Sequence, residues 1–99
     1  MDFEKLYIGG QWTAGASGQF IEVENPATRQ IFARVPAGNE EDVDKAARAA
    51  HEALPAWAAL PLTERIDLME KFLAIFKSQE NDLIDITIKE LGSPYSFTK

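Results

Sequence analysis

The side chains able to carry chemistry are few. His51 is the only imidazole, and cysteine is absent. Without cysteine there is no disulfide, no thiolate metal ligand and no thiol nucleophile. A hydroxyl nucleophile needs a base and an orienting group. One histidine, with no Gly-x-Ser-x-Gly elbow, assembles no triad. A metal site needs convergent ligands, and no second histidine exists to join His51, which is flanked by Glu52 and reads as a structural or surface residue. The run Glu40-Glu41-Asp42, with Asp44, supplies carboxylates. Consecutive helical residues diverge, and the spacing is not that of a calcium loop, so this run reads as the solvated start of a helix. Four of the six glycines fall within Gly9 to Gly18. A phosphate loop needs a strand before it and a helix after it. These glycines lie between strand-like segments with no Gly-Lys-Ser/Thr following, so they read as turns. Trp12, Trp57 and six phenylalanines read mainly as core. No catalytic constellation emerges from the residues alone.

The elements that would position these residues fit in one domain of 99 residues. Hydrophobic residues make up 45% of the chain, enough for a core, and 26% are charged. The formal net charge of -6 argues against nucleic-acid binding, which needs clustered Lys and Arg. No apolar run approaches the ~18 residues of a membrane span. The stretch Met1-Asp2-Phe3-Glu4-Lys5 carries no basic segment followed by an apolar one, so no secretory leader is read and a cytoplasmic protein is expected.

Residues 1–36 are glycine-rich with aromatic and β-branched residues at short spacing, whereas residues 37–99 repeat apolar residues every three or four positions. Strands are therefore expected at about 6–36 and helices at about 39–92. Leu6 to Ile8 and Gln11-Trp12 flank Gly9-Gly10, a pair suited to a tight hairpin turn. Ala14 to Gly18 reads as a loop. Phe20 to Glu24 alternates imperfectly, with Ile21 and Val23 on one face. Asn25-Pro26-Ala27-Thr28 reads as a turn, and Gln30 to Val35 as a further strand ended by Pro36 and Gly38. These strands are expected to form one small antiparallel sheet. Asn39 is placed to cap a helix, with Asp42 completing a capping box. Val43, Ala46, Ala47, Ala50 and Leu54 give that helix an apolar stripe, and Pro55 is expected to end it near Ala53. Thr63 can cap a second helix. Its apolar face, Ile66, Met69, Phe72, Leu73 and Phe76 with Leu68 and Ile75, is wide enough to face an additional partner. Ser78 to Asn81 interrupts the pattern. A third segment through Leu83, Ile84, Thr87, Ile88 and Leu91 follows, either separate or continuous with the second, with a strand at 84–88 as the alternative. Gly92 is placed as its C-terminal cap, before Pro94. The fold class is α+β, a small antiparallel sheet followed by two or three helices.

In this order the segments resemble the aldehyde dehydrogenase superfamily over about residues 6 to 95. Tyr7-Ile8-Gly9-Gly10-Gln11-Trp12 resembles its opening strand motif, and Phe20 with Val23-Glu24-Asn25-Pro26-Ala27-Thr28 its Asn-Pro-Ala-Thr turn. Ile31 to Pro36 is similar to the strand that follows. Glu41 to Ala46 with Ala49-Ala50 resembles the first helix, Pro55-Ala56-Trp57 its ending, and Glu64-Arg65 with Leu68 the second helix. Asp82-Leu83 and Glu90-Leu91-Gly92-Ser93-Pro94 resemble the Glu-x-Gly-Lys-Pro segment, with Ser93 where the family usually has Lys.

The resemblance implies that residues 1–99 are the N-terminal segment of a coenzyme-binding domain. The parent would have an α/β Rossmann-like NAD(P) domain, a catalytic domain with a cysteine nucleophile and a glutamate base, and an oligomerisation arm. Such an enzyme oxidises an aldehyde to a carboxylic acid with NAD(P)+. Family members run to roughly 450–500 residues, more than one domain of chain. None of their catalytic or phosphate-binding residues matches a position here, so the 99-residue chain alone is expected to be inactive and to hold no NAD(P). By the same resemblance, the backbone carbonyls of Val23, Glu24 and Glu90 correspond to ligands of a structural monovalent cation. The expected partner is the remainder of the parent enzyme. The alternative is a free-standing module that self-associates through the exposed apolar helix face, with no nucleic-acid or membrane partner in either case.

Overall fold

The computed structural model describes residues 3–99; Met1 and Asp2, part of the stretch read for a leader, lie outside the described residues. The chain runs β1 (Leu6–Ile8), β2 (Gln11–Thr13), β3 (Phe20–Asn25), β4 (Gln30–Pro36), α1 (Glu40–Ala59), α2 (Leu62–Ser78), α3 (Glu80–Leu91) and α4 (Tyr95–Thr98). β1 pairs antiparallel with β2 through Tyr7↔Trp12, and Gly9 and Gly10 make the turn at φ 61° and 79°, the region that resists side chains. β3 pairs antiparallel with β4.

The α+β class and the strand-then-helix order are as the sequence indicates, but the strands divide into two two-stranded ribbons rather than one sheet. The connection between ribbons is held elsewhere. The Ala16 N–H donates to both Asp42 carboxylate oxygens at 3.0 and 3.2 Å, and Ser17 Oγ donates to the Ala37 carbonyl at 2.8 Å. The loop is thereby tied to the start of α1, and β2 shares no ladder with β3. Pro36, expected to stop the last strand, is its final residue and is buried.

The α1 start is the predicted capping box. The Asn39 side chain accepts from the Asp42 N–H at 3.1 Å, and the Asp42 carboxylate accepts from the Asn39 N–H at 3.0 Å. The acidic run is not wholly solvated, however. Glu40, Glu41 and Asp44 are exposed, but Asp42 is only 5% exposed because it serves both the helix and the Ala16 loop.

Pro55 does not end α1, which continues to Ala59. A proline inside a helix removes one hydrogen bond, here the one that would reach the His51 carbonyl. Residues 50–59 are all exposed, so water can reach that turn, and the alanines after Pro55 favour helix. The stop comes at Leu60, which precedes Pro61 and is extended at ψ 141°. Thr63 is likewise not the cap of α2. Pro61 stands at the N-cap, without a side-chain bond, and its carbonyl accepts from the Arg65 N–H at 3.1 Å. Thr63 thus falls inside the first turn. The expected interruption at 78–81 shrinks to Gln79, so α3 is a helix separate from α2. Gly92 closes α3 in the left-handed region at φ 68°. The one-turn α4 follows Pro94, a short helix that apolar periodicity does not reveal.

Burial is sparse. Only Pro36, Asp42 and Ile84 are buried among the described residues. Trp12 and Trp57, read as core, are 62% and 40% exposed, and α2 buries no residue at all. The radius of gyration is 16.9 Å, against the roughly 13 Å of a compact 100-residue domain. The accessible surface is 7997 Å², which exceeds by roughly 2,400 Å² what a folded monomer of this mass exposes. The elements are formed, but most of their apolar faces have nothing of this chain against them.

Asp42→Ala removes the capping acceptor and leaves the Ala16 and Asn39 N–H groups without a partner. It is expected to destabilise the chain by about 2–3 kcal/mol, read as a lower urea midpoint together with reduced helical circular dichroism. An unchanged midpoint would refute the role of Asp42 as the tie between the ribbons and α1.

Candidate functional site

The positions that the family resemblance assigns to a cation, Val23, Glu24 and Glu90, lie on two elements that meet. Val23 and Glu24 are in β3, where the register shifts. Val23 pairs with Ala33 and Glu24 with Ile31, so Phe32 has no opposite number. Such a bulge locally disrupts the ladder and its carbonyl pairing. Glu90 is in the last turn of α3, where terminal carbonyls lack intrahelical donors. The Ile88 carbonyl is taken by the Gly92 N–H at 2.8 Å.

Gly92 brings the two elements together. A Cβ at residue 92 would lie 3.1 Å from Pro26 Cγ, so the close approach of α3 to the turn after β3 depends on glycine. That turn is firmly built. Asn25 Oδ1 accepts from the Ala27 N–H at 2.9 Å, and the Asn25 carbonyl accepts from the Arg29 N–H at 2.8 Å. Arg29 adopts φ 59° and pairs with Glu24 at 3.3 Å. The donors that the resemblance implies would be main-chain oxygens, at a bulge and at the negative end of a helix dipole, which are hard ligands of the kind a monovalent cation takes. Among the described residues no group of three or more His, Asp or Glu side chains could hold a metal ion, so the acidic run and His51 form no side-chain centre. His51 is exposed on α1.

The glycines lack the strand–loop–helix form of a phosphate cradle. Gly9 and Gly10 turn between two strands, and Gly18 lies in a loop. The α1 N-terminus is filled by Asp42 and bordered by Glu40 and Glu41, which would repel an anion. Elsewhere, Arg34 donates to Glu4 at 2.6 Å and stacks 4.2 Å over the Phe20 ring. The hydrogen bond and charge of Glu4 hold the Arg34 guanidinium above its ordinary value. This exposed pair links the amino-terminal segment to β4.

A further feature is apolar. Trp57, Leu62, Ile66, Met69, Phe72 and Leu73, with Glu70, line an open groove of about 560 Å³ along α2. Arg65 lies in the same groove, and its Nε is buried with no hydrogen-bond partner. The signal for this residue was in the sequence, where Arg65 stands at the head of the Met69, Phe72, Phe76 row. A second apolar groove, about 500 Å³, runs beside α3 and α4 and includes Leu83, Leu91 and Phe97.

Residues 12–99 match the aldehyde dehydrogenase family. Malonate-semialdehyde dehydrogenase 1 of Geobacillus kaustophilus is 38% identical over 91 residues, which span 92% of this chain and 19% of that protein. The crystal structure of an NAD-dependent benzaldehyde dehydrogenase from Corynebacterium glutamicum superposes with a TM-score of 0.90 at 32% identity, over 99% of this chain and 21% of that one. An aldehyde dehydrogenase from Bartonella henselae gives 0.92 at 28% identity with the same coverage. The chain thus spans about a fifth of the length of the relatives it matches.

Gly92→Ala combines a left-handed backbone with a methyl group pressed on Pro26. It is expected to cost about 1–2 kcal/mol, seen as a lower unfolding midpoint. Gly18→Ala is the comparison: it is also left-handed, but a Cβ there has open space around it. Equal losses at the two positions would refute the Pro26 contact as a determinant of the β3–α3 junction.

Proposed function

Because the chain belongs to the aldehyde dehydrogenase family, we propose that it is the leading segment of an enzyme that oxidises an aldehyde to a carboxylic acid with NAD(P)+. In this reading residues 1–99 form the first part of the coenzyme-binding domain in a cytoplasmic oligomer. The observation that carries the reading is the superposition of nearly the whole chain on a fifth of a solved NAD-dependent enzyme, over the residues that match the family. The segment contributes scaffold. It has no cysteine, and the α1 start rejects an anion, so neither a thiol nucleophile nor a coenzyme cradle comes from these residues. NAD(P)+ bound elsewhere in the parent would accept the hydride.

The β3–α3 junction has a structural task in the same reading. The main-chain carbonyls of Val23, Glu24 and Glu90 would hold a monovalent cation, which neutralises the end of α3 and pins it to the bulged strand. The described helices include none long and apolar enough to cross a membrane. A self-associating module without catalysis is the rival reading, and the exposed α2 face is the observation in its favour.

The test replaces the matched segment of the Corynebacterium benzaldehyde dehydrogenase with this chain. The chimera is expected to reduce NAD+ with benzaldehyde, whereas the 99-residue chain alone shows no turnover. An inactive chimera beside an active parent, or turnover by the chain alone, overturns the reading. The cation has its own readout. The chimera should unfold at a higher temperature in potassium or sodium than in tetramethylammonium at equal ionic strength, and equal midpoints would remove the cation site.

A further inference from the structure

We propose that the 99-residue chain pairs with a second copy of itself along α2, parallel and in register, with Arg65 of each copy opposite Glu70 of the other. The pairing belongs to the chain by itself and does not depend on the enzyme reading. Three observations select this occupant and this geometry.

The first is the spacing of the apolar residues. Leu62, Ile66, Met69, Leu73 and Phe76 recur at alternating steps of four and three, the repeat that keeps one seam of a helix turned toward a partner helix. All five lie in α2. Ile66 and Leu73 take the first core position of the repeat, and Leu62, Met69 and Phe76 take the second. A β-branched residue such as Ile66 at the first position, with leucine at the second, favours a pair of parallel helices. Each of the five is between 47% and 63% exposed, so a second helix can reach the seam without unpacking the chain.

The second is charge. In a parallel pair, the residue just before the first core position meets the residue five further on in the second copy. Arg65 thereby meets Glu70 of the second copy. Phe72 meets Lys77 of the second copy, whose stem and ammonium suit an aromatic ring. Among the described residues, no salt bridge within the chain engages Arg65, Glu70 or Lys77. Arg65 Nε is buried without a hydrogen-bond partner. An antiparallel pair would set each flank against its own kind, Arg65 near Phe72 and Glu70 near Thr63, and Arg65 would not reach Glu70.

The third is area. With Phe72, the seam residues expose on the order of 600 Å² per copy by the usual sizes of such side chains. Two copies would bury about 1,200 Å², the lower end for a specific interface. That is about a quarter of the surplus surface of each chain, so the dimer is expected to be micromolar rather than obligate.

The experiment is sedimentation equilibrium of the purified chain, which should show a monomer–dimer equilibrium in the micromolar range. Met69→Glu places a carboxylate in the seam. It should leave a monomer with unchanged helical circular dichroism, because Met69 is 56% exposed within the chain. Arg65→Glu and Glu70→Arg should each weaken the dimer about tenfold, and an equimolar mixture of the two variants should regain the affinity as a heterodimer. The chain has no cysteine, so Leu62→Cys supplies a single thiol that faces its own copy only in the parallel pair. Mild oxidation should link that dimer. A monomer at every concentration up to about 200 μM overturns the proposal, as do aggregates of no defined size. A dimer that survives Met69→Glu places the interface elsewhere and overturns it too. Charge reversals without effect, or a mixture without recovery, remove the Arg65–Glu70 pair. A dimer of Leu62→Cys that does not cross-link overturns the parallel register.

Discussion

One carboxylate joins the two kinds of structure in this chain. Asp42 closes the capping box of α1 and receives the Ala16 N–H of the loop that leaves the first ribbon. These contacts span 26 positions of sequence in a chain with little else buried. The ribbons touch the helices through β3 against α3, where Ile84 is buried, and their placement also draws on directional bonds at the loop and on the close approach of Gly92 to Pro26. Gly9 opposite Ala49 is a further small-residue approach, between the first turn and α1. Polar ties and small residues set the arrangement, and apolar burial has yet to be added to it.

That missing burial is a property of every helix. The α1 stripe is mostly alanine and exposed, α2 buries nothing, and α3 buries only Ile84. Marginal stability in folded domains is a small difference between large apolar gains and large entropy losses. Here the entropy has been spent on eight elements while much of the apolar surface remains in water. Membership of a family whose matched members are about five times longer gives this imbalance a physical reason.

Local chemistry was legible in the sequence; anything decided by distant chain was not. Gly9-Gly10, the Asn39–Asp42 box, the Asn25-Pro26 turn and Gly92 each act within a few residues, and each stands where its side-chain chemistry places it. Pro55 and Thr63 misled because helix ends depend on competing signals, and the Leu60-Pro61 pair decides both. The two tryptophans misled for another reason. Aromatic residues at regular spacing do mark surfaces meant for burial, but not whether the same 99 residues supply the covering. The approach of α3 to β3 and its turn was not legible from spacing, since no spacing rule connects a strand to a helix terminus 66 positions beyond it.

The nearly unbroken run of α2 and α3, separated only by Gln79, has a consequence for biosynthesis. Both helices can form from contacts within a few turns, so they need not wait for distant chain. In a polypeptide of family length, ribosomes adding residues at about 5–20 per second would need roughly 20–70 s to finish the remaining four-fifths. Throughout that interval the Phe72 face would stand open at the ribosome exit. A nascent polypeptide of family length would therefore carry an uncovered apolar face on its first fifth for most of its synthesis.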